Sequence, residues 1–449
     1  MDRVRQALRS GDWLTRERIT LVAIALLFAS AAGFLYLVAT AHGGVDRQGR
    51  PLGTDFSNVY AAGTLVNEGK AATAFDPALE YAREREIFGN DTLFYGWHYP
   101  PFFLFAASAL ALLPYGLALT VWQAMTLGLY LLMIRGIVAP SPCLPGEGRG
   151  DVTAGSLWLL LALAFPAVLI NVGHGQNGFL TAALLGGALI VLDRRPLLAG
   201  ILLGLLVYKP QYGLLLPVVL GVSGRWRCFA AAAATVVVLA IATTLIFGMP
   251  VWHAFAVFSE FTRKVVLEQG DTGFFKIQSI FAWARMWGAP IPLAYAVQGF
   301  ATLGIAAALA WLWRSPAAYP LKAAALCIGT ILATPYSFDY DMMVLAPAIA
   351  FLAADGLRRG FLPWEKTALA ALWLVPLVAR TVAHASMIPL GVPAMLTVFV
   401  LILRRAELDL PMAFFGASST MSASPGEVLR GPVVAPDHRA ESSRRIILP

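Results

Sequence analysis

The chain has 449 residues, of which 58% are hydrophobic and only 13% charged. Ordinary soluble domains carry about 25% charged residues, so the composition excludes a soluble enzyme with a single anchor and indicates a polytopic membrane protein. The net charge of +7 comes from Lys and Arg placed between apolar runs, the pattern that sets membrane sidedness, and does not point to a nucleic-acid partner.

The N-terminus is basic (Arg3, Arg5, Arg9, Arg16, Arg18) and leads into an apolar run from Ile19 to Ala41. That run is longer than the about 7–15 residues of a signal-peptide core, so an uncleaved first crossing with a cytoplasmic N-terminus is predicted. Further apolar runs, bounded by charge and by Gly/Pro breaks, predict spans near 116–136, 155–172, 178–192, 196–208, 211–222, 228–247, 293–313, 321–334, 342–355, 366–383 and 388–403. Several are shorter than the ~20 residues a crossing needs, a feature tolerated where broken helices line a polar cavity. Tyr99 to Leu113, bracketed by Pro100-Pro101 and Pro114, reads as a short helix dipping in from the outer face. Basic residues then fall on alternate connections, which makes about twelve crossings self-consistent, with both termini inside. From about residue 410 the chain turns to Ser, Pro, Gly and charge and reads as a disordered cytoplasmic tail, leaving 1–409 as one transmembrane domain.

The outward connections carry most of the unusual polar residues. In the first, 42–98, Asp55 follows the first span, Ser57 is a plausible N-cap for an interfacial helix to Glu68, and Asp76-Pro77 opens a second helix. Asp55 is either a helix-capping residue or a functional carboxylate. Trp97-His98-Tyr99-Pro100-Pro101 is either an interfacial aromatic turn or a platform for sugars, with His98 able to bind a hydroxyl or phosphate. His174, Gln176 and Asn177 follow a Gly-rich break, and their polar groups suit sugar hydroxyls as well as a wet turn. Lys209, beside Pro210 and Gln211, interrupts an apolar stretch, and a cation at membrane depth marks a function unless it snorkels.

Arg263, Lys264, Lys276 and Arg285 in the connection 248–292 either neutralise a phosphate or sit idle on the surface. Asp339 and Asp341 flank Tyr340 and either cap a helix or hold a metal, so a divalent ion stays open although no cofactor is required. Arg380 and His384 end a span at the same face. Cys143, Cys228 and Cys327 are far apart and form neither a disulfide framework nor a zinc motif. The histidines likewise form no metal motif.

Taken in order, Asp55 with Tyr60, Tyr99-Pro100-Pro101, Gly175-Gln176-Asn177, Lys209-Pro210-Gln211 and Pro335 through Asp341 resemble glycosyltransferase family 87, of the GT-C membrane glycosyltransferases. The resemblance covers roughly residues 20–405. It implies an all-α GT-C fold and a plasma-membrane location with the active site facing the periplasm. It also implies a polyprenyl-phosphate sugar donor, mannose or another hexose, and a lipid or glycan acceptor, as in the α-mannosyltransferases that extend phosphatidylinositol mannosides. Asp55 then matches the family's aspartate base and acts with inversion, and Lys209, Lys276 and Arg263 receive the donor phosphate. Tyr60, His98, Tyr99, His174, Gln176, Asn177, Gln211, Asp339, Asp341 and His384 surround sugar or acceptor. A lipid-linked-sugar flippase or secondary transporter is the rival class, and a GT-C enzyme with a pentosyl donor is the rival within the class.

Overall fold

A computed structural model describes residues 2–139 and 152–418, the side chains of 152–156 and 410–418 excepted. Contacts gather Met1–Leu410 into one compact unit. Among the described residues the fold is all-helical, with only isolated bridges such as Ile277 with Phe338 outside helices.

Two helices open the chain, α1 (Asp2–Ser10) and α2 (Arg16–Thr40), the latter started by Thr15, whose side chain accepts from the Arg18 amide. A structured connection follows, with α3 (Phe56–Asn67) and α4 (Pro77–Phe88). Asp76 caps α4 through the amides of Ala78 and Leu79, as the Asp-Pro pair predicts. The predicted interfacial helix from Ser57 is α3, but it does not lie along a surface. Phe56, Val59, Ala61, Ala62 and Leu65 are buried, because α3 packs on the short helix α5 (Leu104–Leu110) that forms the predicted dip. Ser57 is not its cap, since its hydroxyl donates to the Thr54 carbonyl at 2.6 Å.

The bundle continues with α6 (Tyr115–Val138), α7 (Val152–Leu163), α8 (Pro166–His174), α9 (Gly178–Val191), α10 (Pro196–Leu205), α11 (Leu216–Val222) and α12 (Trp226–Phe247). After α13 (Pro250–Thr262) comes a π-helical turn, Arg263–Gln269, then α14 (Ile280–Met286), α15 (Ile291–Arg314), α16 (Tyr319–Leu332), α17 (Leu345–Arg359), α18 (Glu365–Ser386) and α19 (Gly391–Ser418). Helix α19 runs past the expected domain boundary. The remainder of the expected disordered tail lies outside the described residues.

Among the described residues six helices are long and apolar enough to cross a membrane, or up to seven if the bent pair 157–163 and Pro166–His174 (47°) is one span. The other expected crossings coincide with the shorter helices α9, α10, α11 and α16 and with α19. Burial sorts these helices into layers. Helices α2 and α12 are apolar all round, yet only 6% of each apolar window is buried, which suits contact with acyl chains. The window in 339–359 is 67% buried, and α16 and α17 pack together at the centre. Helix α10 approaches α12 closely because Gly200 and Gly204 face its backbone, a small-xxx-small seam in which a side chain would overlap Cys228, Ala231 or Thr235.

The two ends of this bundle differ. Asp339 and Arg380 meet at one end of α17 and α18, whereas Asp355, Arg359, Glu365 and Arg405 form a salt-bridged cluster at the other. Trp364 donates its amide to the Arg9 carbonyl at 2.8 Å, which ties the basic N-terminus to the second end.

Candidate active site

A cavity of about 590 Å³ opens at the first end, lined by the segment 50–58, the loop 93–100, the breaks after α8 and α10, α13 with its π turn, and the 336–341 turn. The broken helices put it there: each break ends an apolar helix and turns a polar side chain inward.

Asp55 sits at the N-cap position of α3, but its side chain makes no capping hydrogen bond. Its carboxylate instead accepts from Gln176 Nε2 at 2.7 Å and lies 3.7 Å from His174 Nδ1, an ion-pair distance. His174 Nδ1 is bonded to Thr54 Oγ1 at 2.7 Å, and the Asp55 amide donates to the His174 carbonyl at 2.9 Å. The carboxylate is 21% exposed, toward the cavity. Gln176 is fixed in turn, its Oε1 accepting from Tyr99 Oη at 3.2 Å and from the Asn177 amide at 3.1 Å. Gly175 allows this contact between α3 and α8. It adopts φ 63°, and a Cβ there would lie 2.6 Å from that of Phe56.

Burial alone pushes the Asp55 carboxyl up, but the charge of His174, the Gln176 hydrogen bond and the field of Lys276 outweigh it and hold the carboxyl below its ordinary value. An apolar membrane exit by itself would raise it. The set of donors and cations that the fold gathers around it lowers it instead. His98 is held neutral by burial, at about 4, with Nδ1 3.0 Å from Thr262 Oγ1 and its ring against Phe258.

The basic residues separate into paired and free. Lys209 is buried and bound to Asp341 Oδ1 at 2.6 Å, with its ammonium over the Tyr340 ring. Asp341 Oδ2 also accepts the Phe338 amide at 2.9 Å. Asp339 accepts from Arg380 Nε at 2.6 Å. Each carboxylate of the Asp-Tyr-Asp turn thus serves a different cation. Among the described residues no cluster of three or more His, Cys, Asp or Glu could hold a metal ion. Arg263 pairs with Glu268 on the rim. Lys276 lines the cavity and makes no ion pair among the described residues; burial, with Arg380 nearby, pulls its ammonium below the ordinary lysine value. Lys276 and Arg380 therefore lie near each other on the cavity wall, with Asp339 bound to Arg380 and Asp55 across from Lys276.

Of the residues singled out by sequence, Asp55, His98, Tyr99, His174, Gln176, Lys209, Gln211, Arg263, Lys276 and Asp341 line this one cavity. Tyr60, Asn177, Asp339 and His384 do not. Tyr60 donates to the Leu113 carbonyl at 2.9 Å. The Asn177 carbonyl accepts from Thr181 Oγ1 at 3.1 Å, Asp339 acts through Arg380, and His384 packs edge-on against Phe275. Sequence reasoning left Arg380 as a span end and Tyr336 without a role, and gave none to Arg50, Asn58 or Tyr95, all of which line the cavity. Two signals were available: Arg380 is the one charged residue between Thr367 and Ala383, an otherwise apolar stretch, and Asn58 stands three residues beyond Asp55, on the same helix face.

Residues 97–335, just over half of the chain, match the family model for glycosyltransferase family 87. The match takes in the Tyr99, Gln176, Lys209 and Lys276 walls of the cavity. No curated protein and no solved structure matches the chain.

Proposed function

Because the chain belongs to glycosyltransferase family 87 and is a membrane glycosyltransferase, we propose that it moves a hexose, mannose by family resemblance, from a polyprenyl phosphate to a hydroxyl of a lipid or glycan acceptor. Asp55 is the general base in this reading. It takes the proton of the acceptor hydroxyl as that oxygen attacks the anomeric carbon. The bond from that carbon to the phosphate oxygen breaks on the opposite face, its electron pair leaves with the polyprenyl phosphate, and the configuration inverts. The observation that carries the proposal is the carboxylate of Asp55, freed from helix capping, oriented by Gln176 and exposed to a 590 Å³ cavity that also holds Lys276 and Arg380.

Lys276 and Arg380 receive the charge that develops on the leaving phosphate. Lys209, 6% exposed and enclosed with Asp341, is reassigned from phosphate contact to holding the 336–341 turn in place, whereas Arg380, 39% exposed, keeps a face open beside its Asp339 partner. The apolar rim of Leu93, Phe94, Phe255 and Phe258 suits the first isoprene units of a donor lipid. The cavity lies at the end of the bundle away from Arg358, Arg359, Lys366 and Arg405, which favours the outer face under the positive-inside rule, in a plasma membrane.

The test is turnover of purified protein against a panel of polyprenyl-phosphate sugars, hexoses and pentoses, with a nucleotide sugar as control. Consumption of a polyprenyl-phosphate hexose is expected. Consumption of the nucleotide sugar alone would overturn the donor assignment. Uphill movement of an intact lipid-linked sugar across vesicles without transfer would favour a transporter.

A further inference from the structure

Helix α4 carries two buried acids that the reaction does not use. Glu80 is 1% exposed and Glu84 0%. At an i,i+4 spacing they are neighbours on one helix face. Neither forms an ion pair among the described residues, and three of their four carboxyl oxygens have no hydrogen-bond partner. The fourth, Glu84 Oε2, accepts the backbone amide of Tyr95 at 3.1 Å. Tyr81 on the same helix donates to the Thr92 carbonyl at 2.9 Å and packs edge-on against Phe94. Helix α4 therefore holds the loop whose residues Leu93, Phe94, Tyr95 and His98 form one wall of the cavity.

We propose that Glu84, with Glu80 beside it, is a positioning residue that fixes the 93–98 wall against α4, and that the wall is released when the pair gives up its last proton. Two adjacent carboxylates in an apolar pocket without a cation cannot both stay charged, so the folded pair keeps a proton. The titratable groups around Glu84 agree with this. Glu80 lies on the same helix, Asp55 at the start of α3 adds a like charge, Tyr95 is neutral, the Tyr115 ring lies against Phe88 of α4, and the facing turn 71–75 carries no ionisable side chain. Burial, opposed in part by the Tyr95 and Gly96 amides and reinforced by Asp55, pushes the Glu84 carboxyl up to about 8. Burial with the charge of Glu84 pushes Glu80 well above its ordinary value.

The functional half of this inference rests on the transfer reaction proposed above, whereas the structural half is independent of it. Hydrogen exchange of the peptide around 92–98 in the purified protein, corrected for intrinsic rates, reads the clamp directly. The wild type is expected to lose protection there as pH rises above about 8, once Glu84 and then Glu80 ionise. In Glu84→Gln, which keeps an acceptor oxygen but cannot ionise, that pH dependence should shrink. In Glu84→Leu, which packs without an acceptor, protection should be low at every pH, and the KM for acceptor should rise roughly tenfold, the scale of one lost hydrogen bond. Protection independent of pH in the wild type, or unchanged in Glu84→Leu, overturns the clamp even if the protein is an active transferase. Loss of protection as expected, in a protein that transfers no sugar, sustains the clamp and places the failure in the proposed reaction.

Discussion

Asp55 would be an ordinary helix cap by position, and its hydrogen bonds say otherwise. A carboxylate held below its usual value is fully ionised at neutral pH, and in the proposed role of base it is ready without waiting for a proton to leave. The sign follows from that depression. Its contribution to stability is present above the ordinary value of 3.8 and is lost as pH falls through the lower folded value, so activity should have a flat neutral region and an acid limb only at strongly acid pH. Gln176→Leu removes the donor to Asp55 Oδ2. The acid limb of kcat/KM should move up and kcat should fall about 10–100-fold, as for a lost hydrogen bond to a charged group. A pH profile superimposable on wild type would mean that Gln176 does not tune the base. Lys276→Ala should raise the KM for donor far more than that for acceptor; equal effects would remove its phosphate role.

At the scale of elements, the breaks between helices do the positioning. Lys209 lies between two short 3-10 turns, 206–208 and 210–213, and its buried pair with Asp341 joins that break to the 336–341 turn. Removing one partner of a buried pair costs about 3–5 kcal/mol, because the other charge is stranded. Lys209→Met should therefore lower the Tm sharply, and Lys209→Met with Asp341→Leu should recover much of the loss. A Tm drop in the double variant equal to the sum of the single losses would show that the two residues do not act as a pair. Gly200→Val should separate α10 from α12 and cost about 1–3 kcal/mol in the same measurement, as overpacking does.

Element positions were largely legible in the sequence, since the predicted spans fall on helical segments, broken in two at 155–172 and 211–222, and Asp76-Pro77 starts α4 as expected. The depth of α3 was not, because its alternation of small and apolar residues fits an interface as well as a core, and only its contact with α5 decides. Side-chain pairing was the other hidden quantity. Sequence marks Lys209, Asp339, Asp341 and Arg380 as unusual, but which cation each carboxylate takes depends on residues about 40 to 130 positions apart meeting in space.

Over the whole molecule, polar chemistry gathers at one end of the bundle and the salt-bridged basic cluster at the other. That polarity gives a sidedness test. In a protein with Cys143 replaced, Asp91→Cys should react with an impermeant thiol reagent from outside the cell, and Arg358→Cys only after the cytoplasmic face is exposed. The reverse labelling would place the cavity in the cytoplasm. The most direct measurement is single-turnover transfer of a labelled hexose from its polyprenyl phosphate by wild type and by Asp55→Asn, each with unfolding and hydrogen exchange recorded. Loss of a general base typically costs about 10²–10⁴-fold in rate, so Asp55→Asn should fall by at least that lower bound while remaining folded, and transfer at the wild-type rate by the folded variant would contradict the role assigned to Asp55.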